Sequence, residues 1–226
     1  PEGDYKEGIK IGQDLSSDHP RVKAGIALHG PNQWPDIEGW RPTMQRYFWA
    51  CENLSRQLMQ AFALALGLER KFFNEWLSLP MATLGPLYYP PIPTDARPRI
   101  SAGAHTDFGC LTLLAQQHIG GLQILTRDNE WCDVPPREDM VVVNIGDMLA
   151  RWTNDRYAST RHRVVNKSNE ARLSLAFFFD PDPDVDLSPL PGCLSPGGEP
   201  KYPPATSLSH LIDKIGESFS YRNETE

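Results

Sequence analysis

The chain has 226 residues, and its 22 Lys and Arg set against 29 Asp and Glu leave a formal charge of −7. That balance excludes a nucleic-acid module, which needs a basic face to neutralise phosphates. No apolar run approaches the roughly 18 residues of a spanning helix, so a membrane segment is excluded as well. At roughly 100–200 residues per domain the length suits one domain with an ample core. Cys51, Cys110, Cys132 and Cys193 lie far apart with no C-x-x-C pair, which reads as free thiols in a cytoplasmic setting. The chain opens on Pro1, and an amino-terminal truncation is expected.

In chain order, residues 1–42 carry many breakers and weak periodicity, an irregular lead-in with at most short strands. Residues 43–66 contain neither proline nor glycine. Apolar residues there fall at Met44, Tyr47, Phe48, Cys51, Leu54, Leu58, Ala61, Phe62 and Ala65, the three-then-four spacing of a long amphipathic helix. Gly67 supplies its stop, and Glu69 to Leu77 allows a further short helix. The helical part thus extends over 43–79. The 21 prolines cluster at 80–98, including Pro93 and Pro98, and again at 181–204, where no helix interior is possible.

From residue 100 onward the pattern changes to short runs rich in β-branched and aromatic residues: Cys110–Ala115, Gly121–Leu125, Met140–Ile145, Arg163–Asn166 and Arg172–Phe179. These are strands. Turn signals separate them at Ile119-Gly120-Gly121, Asp128-Asn129, Asn144-Ile145-Gly146-Asp147 and Asn166-Lys167-Ser168-Asn169, with no long helix between. The pattern favours an antiparallel sandwich or barrel. The tail regains helical period at Leu208, Leu211, Ile212, Ile215 and Phe219. It is expected either to cover a pocket mouth or to pack on the barrel exterior.

His105-Thr106-Asp107 stands at the start of the first clear strand, and residues two apart on extended chain share a face. His162, leading into another strand of the same block, offers a third ligand. Two imidazoles and one carboxylate leave coordination positions open, the arrangement of non-haem Fe(II) oxygenases; a closed structural zinc site wants four ligands, usually with Cys. Cys110, at odd spacing from His105, is read as core. In Arg172-Leu173-Ser174 period two places a guanidinium beside a hydroxyl, a receptor for the carboxylate of an acidic co-substrate. Phe177 and Phe179 mark that strand as buried, where an unpaired Arg is costly. Asn144 to Asp147 reads as a tight hairpin turn. Trp152, Phe108 and Leu87 read as core, and His19, His29, His118 and His210 as surface or packing residues.

These residues resemble the Fe(II)- and 2-oxoglutarate-dependent dioxygenases of the isopenicillin N synthase-like group. The resemblance runs over about residues 80–180: Leu87-Tyr88-Tyr89-Pro90-Pro91, Ala104-His105-Thr106-Asp107-Phe108-Gly109, Gly120-Gly121-Leu122-Gln123, Asn144-Ile145-Gly146-Asp147, Thr153-Asn154 through His162-Arg163-Val164, and Arg172-Leu173-Ser174, all in family order. It implies a mainly β fold with flanking helices, a double-stranded β-helix or jelly roll of cupin type. A long amphipathic helix precedes the core and a carboxyl-terminal helix follows in 181–226. It further implies His105, Asp107 and His162 as Fe(II) ligands, with Arg172, Ser174 and Tyr89 around 2-oxoglutarate. The implied activity is oxidation of a C–H bond of a small molecule with O2, giving succinate and CO2. Val22 to Gly30 and Trp34-Pro35 also resemble the bacterial ethylene-forming branch, but Gly85-Pro86 stands where that branch carries an arginine. The rival readings are an iron oxidase of the same fold that does not use 2-oxoglutarate, a cupin-like binding protein without turnover, and a zinc hydrolase.

Overall fold

The computed structural model describes residues 4–92, 99–166 and 168–220. Pro93, Pro98, Lys167 and the side chain of Phe219 lie outside the described residues. The lead-in holds two short strands, β1 (Glu7–Gly8) and β2 (Ile11–Gly12), and a single helical turn, α1 (Pro20–Lys23).

The long helix α2 runs from Trp40 to Ala65 and begins three residues before the expected start. Pro42 hid that start, yet in the first helical turn the missing N–H has no intrahelical partner to lose. Its end is as expected: Gly67, at φ 76°, follows the C-cap residue Leu66 in the left-handed conformation that glycine adopts without strain. The buried line is Phe48, Cys51, Ser55, Met59 and Ala63, so the inward face is rotated from the expected one and Leu54 stands at the surface. Of the expected second helix only a 3-10 turn forms, Asn74–Trp76.

The strands follow as β3 (Met81–Tyr89), β4 (Arg99–His105), β5 (Leu111–Gln116), β6 (Leu122–Leu125), β7 (Trp131–Asp133) and β8 (Val142–Ile145). After a short helix, α3 (Asp147–Trp152), come β9 (His162–Asn166) and β10 (Arg172–Asp180), and the chain ends in α4 (Ser207–Ser220). All strand pairings are antiparallel. One sheet has the order β1-β3-β10-β5-β8 with β2 also on β3, and the second has the order β4-β9-β6-β7. These are the two sheets of a double-stranded β-helix. Asn144 to Asp147 is not a hairpin turn: β8 passes through Gly146 directly into α3.

Period two in β10 divides the larger sheet into two faces. Phe177 and Phe179 point to the helix side, where they pack with Leu84, Leu111, Leu113, Phe48 and Met59; the rings of Phe48 and Phe177 meet edge-on at 5.1 Å. Each such buried ring contributes roughly 1.5–3 kcal/mol. Arg172, Ser174, Ala176, Phe178 and Asp180 face the other way, into the space between the sheets. That space has only a small apolar cluster, Tyr89, Ala102, Leu122 and Val164. The hydrophobic core is thus mainly outside the barrel, against α2, and the interior is left for polar chemistry.

Candidate metal and co-substrate site

His105 is the last residue of β4, and Asp107 lies in the loop that leads to β5. No regular strand spans the two, so strand parity is not what brings them together. The loop is shaped from below by α3: the Asp147 N–H donates to the Asp107 carbonyl at 2.8 Å, and the Met148 N–H donates to the carbonyls of Phe108 and Gly109 at 3.1 Å. His162 opens β9 directly opposite His105 in the β4–β9 register. The result is one cluster: a ligand atom from each of His105, Asp107 and His162 lies within 4.8 Å of the others. Among the described residues this is the only group of three or more His, Cys, Asp and Glu so arranged. Cys110 is fully buried in the helix-side core, as expected.

Each imidazole is oriented by its own chain. His105 Nδ1 donates to the carbonyl of Gly103 at 2.7 Å, and His162 Nδ1 donates to the carbonyl of Thr160 at 3.0 Å. A carbonyl only accepts, so both rings carry the proton on Nδ1 and present the Nε2 lone pair, the tautomer a metal needs. Burial pushes the His105 pKa below its ordinary value and keeps that lone pair available. Asp107 is buried, and its two oxygens have different neighbours: Asn144 Nδ2 donates to Oδ2 at 2.6 Å, while Oδ1 faces His162 Nε2 at 3.6 Å.

Arg172 is 1% exposed, and among the described residues its Nε and Nη1 find no hydrogen-bond partner; the hydroxyl of Ser174, 2% exposed, also has none. Nη2 donates to Gln116 Oε1 at 3.2 Å, and the Tyr89 hydroxyl adds a hydrogen-bonding contribution to the guanidinium. Tyr89 pairs with Arg172 across β3 and β10, and the guanidinium lies 4.8 Å from its ring centroid. Burial lowers the Arg172 pKa, but a guanidinium remains charged at neutral pH. Buried donors are almost always satisfied in native folds. Two free guanidinium nitrogens and a free hydroxyl on one barrel face are what a carboxylate ligand would satisfy.

Residues 82–181 match the model of the 2OG-Fe(II) oxygenase superfamily. A solved structure from Caulobacter crescentus, assigned to the 2OG-Fe(II) oxygenase family, is 34% identical with a TM-score of 0.84, over 94% of this chain and 70% of that one. The chain belongs to the 2OG-Fe(II) oxygenase superfamily. A full-length Neurospora crassa protein crystallised with α-ketoglutarate and thymine is 32% identical with a TM-score of 0.83, over 95% of this chain and 66% of that one. A 2-oxoglutarate-Fe(II) type oxidoreductase from Emericella nidulans is 42% identical over 90% of this chain. The chain spans 60% of the Emericella protein's length. The superfamily's cofactors are Fe(II) and 2-oxoglutarate, and a set of two imidazoles and one carboxylate fits a divalent ion with open positions.

Some functional neighbours were not legible in the sequence. Asn144 was hidden in an expected turn; the period-two step from inward-facing Val142 was the signal for it. His210 is a buried residue of α4 whose Nε2 donates to the Phe108 carbonyl at 2.9 Å. No local spacing could have connected residues so far apart. Among the described residues no helix is long and apolar enough to cross a membrane.

Proposed function

We propose that residues 1–226 form one oxygenase domain, with the jelly-roll core at 80–180, that uses Fe(II), 2-oxoglutarate and O2 to oxidise a C–H bond of a small molecule. Hydroxylation is the simplest outcome, with 2-oxoglutarate leaving as succinate and CO2. The single observation that carries the reading is the buried, under-partnered Arg172 beside Ser174 on the same interior as the His105, Asp107 and His162 donors. In this reading His105, Asp107 and His162 hold the iron. Arg172 and Ser174, lined by Tyr89, hold the distal carboxylate of 2-oxoglutarate. When bound, the metal and the keto acid activate O2 and supply the oxidising power.

The chain's own part is positional. The Nδ1 bonds to Gly103 and Thr160 keep both imidazoles aimed, and Asn144 holds one Asp107 oxygen so that the other faces the donors. Arg172 neutralises the co-substrate in a place where water is scarce and an ion pair is strong. The Neurospora relative crystallised with thymine supports a small-molecule substrate. A cytoplasmic setting belongs to the same proposal, supported by four free cysteines.

The test is an anaerobic titration with Fe(II) and then 2-oxoglutarate, following the visible charge-transfer band of an iron-chelated keto acid. A saturable band is expected. In Arg172→Ala, 2-oxoglutarate should bind about 100-fold more weakly while iron still binds, given what a buried charged hydrogen-bonding partner is worth. His162→Ala should lose iron. Wild-type 2-oxoglutarate affinity in the Arg172 variant would sink the receptor assignment, and iron binding without any band would favour an oxidase that does without 2-oxoglutarate.

A further inference from the structure

Lys10 belongs to the lead-in, between β1 and β2, and its side chain lies over the sheet. Both short strands pair with β3, Gly8 opposite Leu87 and Ile11 opposite Leu84. The intervening Lys10 therefore crosses β3 at Gly85. A Cβ built on Gly85 would lie 3.3 Å from Lys10 Nζ and 3.8 Å from its Cδ, so the absence of a side chain there gives the lysine its path. Gly85 pairs with Ala176, an inward-facing residue of β10. Beyond it the Lys10 ammonium stands 4.5 Å from the ring centroid of Phe178, also on the inner face.

The ammonium has no hydrogen bond or ion pair with any described residue. A cation over an aromatic face gains little at an accessible site and is a weak replacement for a counter-ion. The residue as a whole is exposed, but its ammonium end loses enough solvent that its pKa is lowered, with repulsion from Lys6 acting in the same direction. The one opposite charge acting on it is that of Asp107, at a distance beyond ion-pair contact. In the oxygenase reading a metal at Asp107 cancels that attraction. Lys10 is then a cation at the site without an anion.

The geometry points to Lys10 as a substrate-anchoring residue: its ammonium, seated over Phe178 on the barrel's inner face, takes the carboxylate of an anionic small-molecule substrate. The ammonium lies beside Gly85, whose partner Ala176 is four residues from Arg172 along β10, roughly 13 Å at 3.3 Å per residue. A short diacid such as 2-oxoglutarate held by Arg172 does not also reach Lys10, so the partner of Lys10 is a second molecule. The neighbouring ammonium, Lys6, is already paired with Asp4 at 2.7 Å, so Lys10 offers one unpaired positive charge, which suits a singly charged carboxylate. The inference rests on the oxygenase reading and adds the charge of the substrate to it.

The test uses protein loaded with Mn(II), which is redox-inert here, and 2-oxoglutarate. It is titrated calorimetrically with acetate, benzoate and phenylacetate, each paired with its neutral amide. At least one acid should bind wild type about tenfold more tightly than its amide, the worth of roughly one charge-assisted contact. Lys10→Met should erase that preference, Lys10→Arg should keep it, and 2-oxoglutarate affinity should be the same in all three. The inference is overturned if no acid is preferred by wild type, if the preference survives in Lys10→Met, or if that variant loses 2-oxoglutarate instead. Failure of wild type to bind Mn(II) and 2-oxoglutarate at all would be failure of the oxygenase reading, and is seen before any acid is added.

Discussion

The Asp107 carboxylate illustrates how much a single side chain can be constrained from outside the donor set. Asn144 holds Oδ2 from β8, so the carboxylate offers one oxygen, Oδ1, to the same space as the two Nε2 atoms. Without that bond the carboxylate is free to rotate and to meet the ion in several ways. Asn144→Ala is therefore expected to weaken metal affinity about 10- to 100-fold, the usual effect of removing a group that orients a ligand, while leaving the unfolding midpoint nearly unchanged. Competition for Mn(II) against a chelator of known affinity measures it, and an unchanged affinity would show that Asn144 only fills space. The donors themselves were legible in the sequence because their chemistry is rare in combination. Asn144 was not, because an Asn ahead of Ile-Gly-Asp is equally good turn chemistry, and its period-two relation to Val142 carries meaning only once β8 is known to continue through it to Ile145.

At the scale of elements, the loop carrying Asp107 is held between two helices, neither of which supplies a ligand. α3 approaches from one side, and its close approach depends on Gly146: a Cβ there would lie 2.2 Å from the Gly109 carbonyl oxygen and 2.9 Å from that of Asp107. Those are backbone atoms, which cannot swing away. α4 approaches from the other side, with Leu211 in the helix-side core, His210 donating to Phe108, and Lys214 paired with Asp147 at 3.0 Å. The tail helix thus packs on the barrel exterior and braces the loop. His210→Ala leaves the Phe108 carbonyl with the Met148 N–H as its donor and should cost about 0.5–1.5 kcal/mol, the net worth of one hydrogen bond, together with a loss of metal affinity that His210→Gln partly restores. Gly146→Ala should cost more than His210→Ala in the same denaturation experiment, since it displaces the loop backbone. Equal stability of Gly146→Ala and wild type would mean that the contact relaxes without consequence.

For the molecule as a whole, what the sequence reveals depends on whether a feature is local. The strands β5, β6, β8, β9 and β10 were readable from alternation and β-branched content, and the barrel from their number and spacing. β3 was masked by its own Pro86 and by the proline cluster in which it ends, and β4 by its small residues, Ser101, Ala102, Gly103 and Ala104. β3 is nevertheless the strand that carries Tyr89 and passes beneath Lys10, and the lead-in, read as irregular with at most short strands, adds its two short strands to it. The same long-range folding buries a charge that no sequence pattern flags. Asp180 ends β10 on the inner face, 5% exposed, with Oδ1 accepting from the Cys110 N–H at 2.6 Å. Burial, with the Asp107 charge in support, raises its pKa from 3.8 to about 7. The unfolded chain ionises this group near pH 4 and the folded protein only near 7. Between those limits the folded state binds the extra proton, so Asp180 costs stability progressively as pH rises through that window and costs its full amount above it. At about 1.4 kcal/mol per pKa unit the loss is at most about 4 kcal/mol. Asp180→Asn keeps the acceptor for Cys110 and removes the titration. In metal-free protein, urea midpoints at pH 5 and pH 8 should differ less for Asp180→Asn than for wild type, with the variant the more stable of the two at pH 8. The same gap between variant and wild type at both pH values would mean that Asp180 is ionised throughout and the fold accommodates its charge.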